Sequence, residues 1–357
     1  MNWTRGKNTL LLAAQEHDNW DNALSLAASI LKKGGLVAFP TETVYGLGAD
    51  ALNETAVRKI YEVKGRPPDN PLIVHVAAAE MIEQLALTIP EEVYILGEKF
   101  WPGPLTMVLP KKARVPDITT GGISSVAVRF PAHPLAQRLL SITGIPLAAP
   151  SANLSGRPSP TTAEHVMHDL AGRIEAVLDG GDCAVGVEST VLSLLSEPPT
   201  ILRPGGITME MLQEALGKEI LDLTVDSAGE TFKSVPLSPG MKYRHYATNA
   251  PLYLVEGEEE ARWRQMTVLA EHFSKLGSRV GLLIFKESVN SLEAPFVEIL
   301  GSRREHSEVA RRLFDALRKL DAMEVDVIIA EGLEDIDMGK AVMNRLRKAS
   351  TYILKAE

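Results

Sequence analysis

The sequence predicts two α/β domains, a larger one built on an open twisted sheet and a smaller one of the doubly wound type. The chain of 357 residues is long enough for two domains of average size. Short apolar runs alternate with amphipathic ones as far as Leu216, and the same alternation starts again at Leu252. Between these positions the apolar periodicity fades, so we expect a first domain at residues 1–217, a linker at 218–250 and a second domain at 251–357.

The first domain is expected to begin with a helix that is followed by a strand. The apolar face of this helix is predicted to carry Ala23, Leu26, Ala27, Ile30 and Leu31. The glycines at 34 and 35 end the helix before a strand at residues 36–39. A second helix starts at the cap residue Asn53 and runs to Lys64. Further strands are predicted at 72–76, 105–109, 126–130, 146–149, 176–178, 190–194 and 201–203, and further helices at 135–142 and 209–216.

The second domain repeats the alternation of strands and helices in a shorter form. Its most regular helix is predicted at residues 306–320, with one apolar stripe formed by Val309, Leu313, Phe314, Leu317 and Leu320. This pattern is typical of a doubly wound α/β unit. The other predicted elements are strands at 252–255, 280–285, 297–300 and 325–330, and helices at 258–276 and 340–350.

The composition excludes several classes of protein. Acidic residues outnumber basic ones, 46 against 37, and the net charge of −9 argues against a protein that holds duplex nucleic acid by neutralising its phosphates. The single cysteine, Cys183, cannot form an internal disulfide and leaves zinc-ribbon and iron–sulfur sites without ligands. The apolar stretch at residues 10–14 is too short for a secretory signal or a membrane span. We therefore expect a cytoplasmic protein without membrane association and without strong direct binding of nucleic acid.

Two apparent motifs fit their usual structural context poorly. Residues 46–51 match a degenerate dinucleotide-binding fingerprint, but residues 40–45 separate them from the strand that the glycines should follow directly. His165 and His168 lie three residues apart on a predicted helix and could share a metal ion with Asp169. Solvent-exposed histidines are the more common explanation, so we expect no metal ligands among the side chains.

Polar residues that a hydrophobic core does not need stand at the ends of predicted elements. Residues 41–43, Thr-Glu-Thr, follow a buried strand, at the edge where open α/β sheets bind ligands. Lys64 and Arg66 lie between a helix and a strand, and such a pair of cations suits a polyphosphate. A solvated basic turn is the alternative explanation for this pair.

His75 and Arg129 each interrupt an otherwise apolar strand. An arginine buried in a strand requires an anion, and the candidates are the carboxylate of a small molecule and a structural ion pair with a glutamate. Residues 151–156, 188–191 and 203–206 place small and hydrogen-bonding side chains at other strand exits. Neither a Ser-His-Asp arrangement nor a pair of carboxylates stands out, so we expect a site that positions and neutralises its ligand rather than one that forms a covalent intermediate.

Six motifs stand out at residues 39–48, 64–67, 151–156, 188–191, 203–205 and 238–246. Together they resemble the signature of the threonylcarbamoyl-AMP synthases, the YrdC-like enzymes of tRNA modification, in their long two-domain form. The motifs occur in the family's order and span nearly the whole chain. Two positions depart from the family pattern: Thr248 stands where the family usually has proline, and Ser193 where it often has aspartate.

This resemblance implies a fold and a set of site residues. The fold is a YrdC-like twisted open α/β sheet domain followed by a smaller doubly wound, Rossmann-like α/β domain. Lys64 and Arg66 are the implied catalytic residues, and the linker at 218–250 is similar to a segment that folds over the site as a lid. ATP is implied to bind at Lys64, Arg66, Asn70, Ser125, Ser151, Asn153, Ser159, Arg203 and Ser238. L-Threonine is implied to bind at Thr43, His75, Arg129, Ala149 and Ser189.

The implied reaction combines L-threonine, bicarbonate and ATP into L-threonylcarbamoyl-AMP and pyrophosphate, with Mg²⁺ held by the ATP phosphates. The product is implied to pass to a protein complex that transfers the threonylcarbamoyl group to tRNA. An RNA-binding module without catalysis is the alternative, and the acidic charge balance argues against it. The related carbamoyltransferases of hydrogenase maturation need zinc-finger cysteines, which a chain with one cysteine lacks.

Overall fold

The computed structural model describes residues 8–14, 20–224 and 245–357. Ser238 and most of the predicted linker lie outside these ranges. The described chain forms two compact units, each of which gathers segments that are separate in sequence. One unit holds residues 8–14, 20–155, 159–184 and 188–224, and the other holds 156–158, 185–187 and 245–357.

The first unit is built on a mixed sheet of eleven strands in its described part, in the order β1-β8-β2-β3-β7-β4-β6-β5-β9-β10-β11. The predicted fold class of this unit is confirmed. Its strands are β1 (Leu10–Ala13), β2 (Val37–Phe39), β3 (Gly46–Asp50), β4 (Ile73–His75), β5 (Leu105–Pro110), β6 (Ser125–Arg129), β7 (Leu147–Ala148), β8 (Ala176–Asp179), β9 (Thr190–Ser193), β10 (Thr200–Arg203) and β11 (Leu221–Asp222).

Helices cover both faces of this sheet. Successive residues of β2 point to opposite faces, so Ala38 belongs to one core while Val37 and Phe39 belong to the other. The core around Val37 is completed by α1 and α5, and the core around Ala38 by the other helices. The helices are α1 (Trp20–Lys32), α2 (Glu54–Lys64), α3 (Ala79–Leu85), α4 (Glu91–Phe100), α5 (Pro134–Thr143), α6 (Ala163–Leu170) and α7 (Met209–Leu216).

The buried face of α1 contains three of the five predicted residues, and Ile30 is partly buried. Leu26 is 43% exposed, whereas Leu24 is fully buried against the sheet. Both leucines are compatible with an apolar stripe through Ala27 and Leu31, and the direction of packing against α5 decides between them. The prediction for Leu26 is therefore wrong.

No strand is predicted from the sequence at β3, because the two glycines there match a dinucleotide-binding fingerprint. The strand pairs antiparallel with β2, with Gly48 opposite Val37. A Cβ atom on Gly48 would lie 2.8 Å from the Phe39 ring, and one on Gly46 would lie 3.5 Å from it. Gly48 thus lets β3 pass over an aromatic ring, whereas a Cβ atom at position 46 would make an ordinary contact with it.

The second unit contains a five-stranded sheet in the order β14-β13-β15-β12-β16, in which every pair of neighbours is parallel. All five residues of the predicted stripe on α9 are buried, so that prediction is confirmed. No helix in the described ranges combines the length and the apolar character that crossing a membrane requires. The elements are β12 (Leu252–Glu256), β13 (Val280–Ile284), β14 (Phe296–Ile299), β15 (Val327–Glu331), β16 (Tyr352–Lys355), α8 (Glu259–Lys275), α9 (His306–Ala322) and α10 (Asp337–Ala349).

Candidate active site

The turn after β2 is held together by the hydroxyl of Thr41. This hydroxyl donates to the Val44 carbonyl oxygen over 2.6 Å and accepts the N–H groups of Thr43 and Val44, each over 3.2 Å. A side chain that satisfies the backbone in this way fixes a tight turn without regular secondary structure. The turn brings Glu42 and Thr43 to the last residue of β6, Arg129.

Arg129 is 4% exposed and is held from several directions. Its Nη2 donates to Glu42 Oε1 over 2.6 Å, and its Nη1 donates to Thr43 Oγ1 over 2.8 Å. The other carboxylate oxygen of Glu42 accepts the Ala132 N–H over 3.0 Å. The ion pair with a glutamate, the competing explanation for a buried arginine, is therefore present. A guanidinium carries five N–H groups, and the ion pair does not use all of them. The binding of a substrate carboxylate by Arg129 therefore stays a prediction.

His75 lies beside Arg129, because these are the last residues of two parallel strands and are paired in register. Burial and then the charge of Arg129 lower the pKa of His75 to about 3. The imidazole is therefore neutral near pH 7. Its Nδ1 is buried and has no hydrogen-bond partner among the described residues, and its ring meets the Phe39 ring edge to face at 6.0 Å.

This neutral histidine predicts a measurable dependence of stability on pH. Between pH 3 and 6.5 the unfolded chain binds a proton at His75 and the folded chain does not, so the free energy of unfolding falls as the pH is lowered through this window. Between pH 7.5 and pH 5, we expect the free energy of unfolding of His75→Asn to fall by about 2 kcal/mol less than that of the wild type. Urea unfolding of the transition that involves the first unit measures this difference.

The exposed His272 on α8 provides the control for that experiment. His272→Asn is expected to retain the pH dependence of the wild type. Equal pH dependence of His75→Asn and the wild type would show that His75 takes up its proton as readily in the folded protein as in the unfolded chain.

Lys64 is the last residue of α2, and Gly65 with a φ of 62° ends the helix there. The ammonium group of Lys64 donates to the Ser151 carbonyl oxygen over 2.5 Å and also to that of Asn153. Lys64 is only 3% exposed. The alternative of a solvated basic turn is therefore wrong for this residue.

Arg66 is likewise buried, with 9% exposure. Its Nε donates to the Asn70 carbonyl oxygen over 3.2 Å and its Nη2 to that of Pro71 over 3.0 Å. The Asn70 side chain is 2% exposed, and its Oδ1 accepts no hydrogen bond from any described residue. A buried amide oxygen in this state is available to a ligand that can donate a hydrogen bond.

The loop after β7 carries Ser151 and Asn153, whose carbonyl oxygens bind Lys64. Ser151 Oγ donates to Asn153 Oδ1 over 2.6 Å, while Ser151 forms a backbone bridge with Gly46 in β3. Asp169, on α6, accepts the Leu154 N–H over 3.3 Å. Asp169 thereby helps to hold the loop, which explains its burial without a metal ion.

Arg203 holds a second group of polar residues at the end of β10. Its Nε donates to the Ser189 carbonyl oxygen over 3.0 Å and its Nη2 to the Ser189 hydroxyl over 3.1 Å. Ser159 donates to Glu188 Oε1 over 2.5 Å. A Cβ atom on Gly205 would lie 2.2 Å from the nitrogen of the residue after Ser189, so only glycine allows this close approach of two chain segments.

The remaining predicted site residues lie at different ends of the sheet. Ser125 begins β6 and Arg129 ends it, which separates their Cα atoms by about 13 Å. Because Ile73 lies opposite Ala127 in the register of β4 and β6, Ser125 lies near the start of β4. Arg66 donates to the Pro71 carbonyl oxygen just before that same end. Ala149 is 5% exposed and donates its N–H to the Ile73 carbonyl oxygen over 2.9 Å.

Two functional candidates were not among the predicted site residues. Glu42 belongs to a motif quoted above, but its pairing with Arg129 depends on the fold. Thr106 in β5 is fully buried, and its hydroxyl lies 2.8 Å from that of Ser189. A threonine within a strand is ordinary by propensity, so the sequence signals only one hydroxyl in an apolar run.

Burial raises the pKa of the Cys183 thiol, which therefore stays protonated.

The second unit has a cavity of about 950 Å³ at the ends of β12 and β15. Three of the four arginines that line it have carboxylate partners. Arg347 lies 2.6 Å from Asp335, and Arg262 lies 3.1 Å from the buried Glu331. The predicted site residues within the described ranges lie in the first unit.

Known proteins and family models match most of this chain. A family model described as telomere recombination matches residues 29–205, and a model described as the C-terminal domain of threonylcarbamoyl-AMP synthase matches residues 207–351. Proteins named threonylcarbamoyl-AMP synthase from Pyrococcus abyssi and Bacillus subtilis are each 49% identical to this chain. The first match covers 96% of this chain and 98% of the relative, and the second covers 92% and 93%.

A solved structure resembles this one over nearly its full length. The crystal structure of P. abyssi Sua5 complexed with L-threonine is 48% identical in sequence and has a TM-score of 0.92. The match covers 98% of this chain and 100% of the solved chain.

Proposed function

The chain belongs to the threonylcarbamoyl-AMP synthase family, and on this premise we propose that it combines L-threonine, bicarbonate and ATP into L-threonylcarbamoyl-AMP and pyrophosphate. One observation carries the proposal. Two buried cationic groups, Arg129 at the end of β6 and Lys64 with Arg66 at the end of α2, belong to the first unit. The bridge between Gly46 and Ser151 joins β3 to the loop whose carbonyl oxygens bind Lys64. Such an arrangement suits an amino-acid carboxylate at one end and a polyphosphate at the other.

At the amino-acid end, we propose that Arg129 binds the α-carboxylate of L-threonine. The hydroxyl of Ser189 donates to the bound substrate, Thr43 lies against it, and the neutral His75 offers a hydrogen-bond donor or acceptor to the threonine hydroxyl. Ala149 lines this end with its backbone. The relative that was crystallised with L-threonine supports threonine as the amino acid.

At the nucleotide end, we propose that Lys64 and Arg66 act on the ATP phosphates as the catalytic residues. They neutralise negative charge on the triphosphate as pyrophosphate leaves. Mg²⁺ enters with the phosphates, since no three His, Cys, Asp or Glu side chains in the described ranges are placed to hold a metal ion. The other proposed ATP ligands are Asn70, Ser125, Ser151, Asn153, Ser159 and Arg203.

The proposed chemistry has two steps. The threonine amine first forms a C–N bond with the carbon of bicarbonate, with loss of water, to give a carbamate. A carbamate oxygen then attacks the α-phosphorus of ATP, and the bond to the β,γ-pyrophosphate breaks. Burial of the reacting groups protects the carbamate, which decomposes in water.

We also propose the roles of the remaining parts of the chain and of its partners. Residues 1–217 form the catalytic domain and residues 251–357 a C-terminal domain. The predicted lid at 218–250, with Ser238 as an ATP ligand, falls mostly on residues outside the described ranges. The product passes in the cytoplasm to a complex that transfers it to tRNA, and the net charge of −9 fits an enzyme that leaves RNA recognition to that complex.

Incubation with ATP, Mg²⁺, bicarbonate and a panel of amino acids, followed by mass spectrometry of adenylates, tests the proposed function. We expect a threonylcarbamoyl adenylate and pyrophosphate with L-threonine, and much less product with L-serine. Omission of bicarbonate should abolish the product. An enzyme preparation that yields no adenylate with any amino acid would refute the proposal.

A further inference from the structure

Thr106 is a buried hydroxyl in the middle of the sheet that the proposed chemistry has not used. It is fully buried between its register partners, Arg129 in β6 and Val191 in β9. Register partners on neighbouring strands project to the same face of a sheet, so Thr106 shares the face of Arg129. Its hydroxyl contacts the hydroxyl of Ser189 at 2.8 Å.

The hydrogen bonds of Ser189 limit what this contact can be. A serine hydroxyl has one proton to donate and two lone pairs that accept. Arg203 Nη2 can only donate, so it occupies one lone pair of Ser189 Oγ. Thr106 then either donates to the second lone pair or accepts the serine proton.

A carboxylate ligand selects between these two arrangements. A carboxylate has no proton to give at neutral pH, so Ser189 can bind it only by donating its own proton. That proton is free for the ligand only when Thr106 donates to Ser189. With Arg203 and Thr106 both donating, Ser189 becomes a pure donor whose proton points away from both of them.

We propose that Thr106 is a positioning residue for the amino-acid substrate, which acts by directing the Ser189 proton towards the substrate. The inference rests on the proposed function, because it takes Ser189 to contact threonine. Thr106 itself need not touch the substrate. Its removal should therefore weaken threonine binding specifically and leave ATP binding and the chemical step largely intact.

Thr106→Val tests this role, because valine keeps the shape of the side chain and lacks the hydroxyl. We expect KM for L-threonine to rise about fivefold, the net value of the one neutral hydrogen bond that directs the Ser189 proton. KM for ATP and kcat should stay within about twofold of the wild type. Thr106→Ser keeps the hydroxyl and should restore most of the threonine affinity.

Thr143→Val is the matched control. Thr143 is another buried threonine, on α5, whose hydroxyl donates to the Leu140 carbonyl oxygen over 2.9 Å. This variant should keep the wild-type KM for threonine. If valine at 106 prevents folding, the comparison of Thr106→Ser with Thr106→Ala isolates the hydroxyl instead.

Three outcomes would overturn the inference. KM for threonine could be the same in Thr106→Val as in the Thr143→Val control, KM for ATP could rise as much as KM for threonine, or serine at 106 could fail to rescue. Each of these three outcomes can be measured only if the wild-type enzyme makes the adenylate. A wild-type enzyme without threonine-dependent product would instead refute the proposed function, and the inference with it.

Discussion

Replacement of Lys64 by methionine is expected to lower threonine-dependent pyrophosphate release by about a thousandfold. The substitution keeps an unbranched side chain of similar length and removes the ammonium group. That group binds two backbone carbonyl oxygens, of Ser151 and Asn153, and is proposed to neutralise the ATP phosphates. A positioned charge in a buried site contributes far more than one in water. A coupled pyrophosphate assay at saturating threonine and ATP measures the loss.

Lys59→Met is the matched control, since Lys59 lies on the same helix and its ammonium group also donates to a carbonyl oxygen, that of Gly34, over 2.6 Å. The control should retain activity within about threefold of the wild type. Undiminished pyrophosphate release by Lys64→Met, with the control equally active, would remove Lys64 from the catalytic machinery.

Replacement of Arg129 by methionine is expected to abolish measurable binding of L-threonine and to destabilise the first unit by about 3–5 kcal/mol. The loss of binding follows from the removal of the proposed partner of the α-carboxylate. The loss of stability has a different cause. Glu42 is buried and 2.6 Å from the guanidinium, so the variant leaves a buried carboxylate without its cation.

The double variant Arg129→Met with Glu42→Gln separates these two effects. Neutralising Glu42 should recover much of the lost stability, measured by urea unfolding, without recovering threonine binding, measured by calorimetry. Threonine affinity that returns together with stability would mean that Arg129 serves the fold and does not bind the substrate carboxylate.

The elements with long, regular apolar patterns could be predicted from the sequence. The stripe on α9 is one case, and the end of α2 at Lys64 and Gly65 is another. In both, the decisive interactions are between residues a few positions apart, such as the αL conformation that Gly65 provides at a helix end. Interactions of this kind depend only on residues that are close together in the sequence.

Elements whose partners are distant in the chain were harder to predict. Strand β3 shows this, because its Gly48 is explained only by the ring of Phe39 in the neighbouring strand. The exposure of Leu26 and the burial of Leu24 show the same, because the packing of α1 against α5 chose the buried side. Neither neighbour is visible in the local pattern.

The sequence by itself determined which kinds of side chain the site would contain and that they would stand at strand and helix ends, since motif order and apolar periodicity are properties of consecutive residues. Only the tertiary structure decided how these side chains pair. It joined Arg129 to Glu42, Lys64 to the carbonyl oxygens after β7, and Ser189 to Thr106. The physical reason is that a buried polar group must find its partner in space, and the folded sheet brings together residues that are more than eighty positions apart.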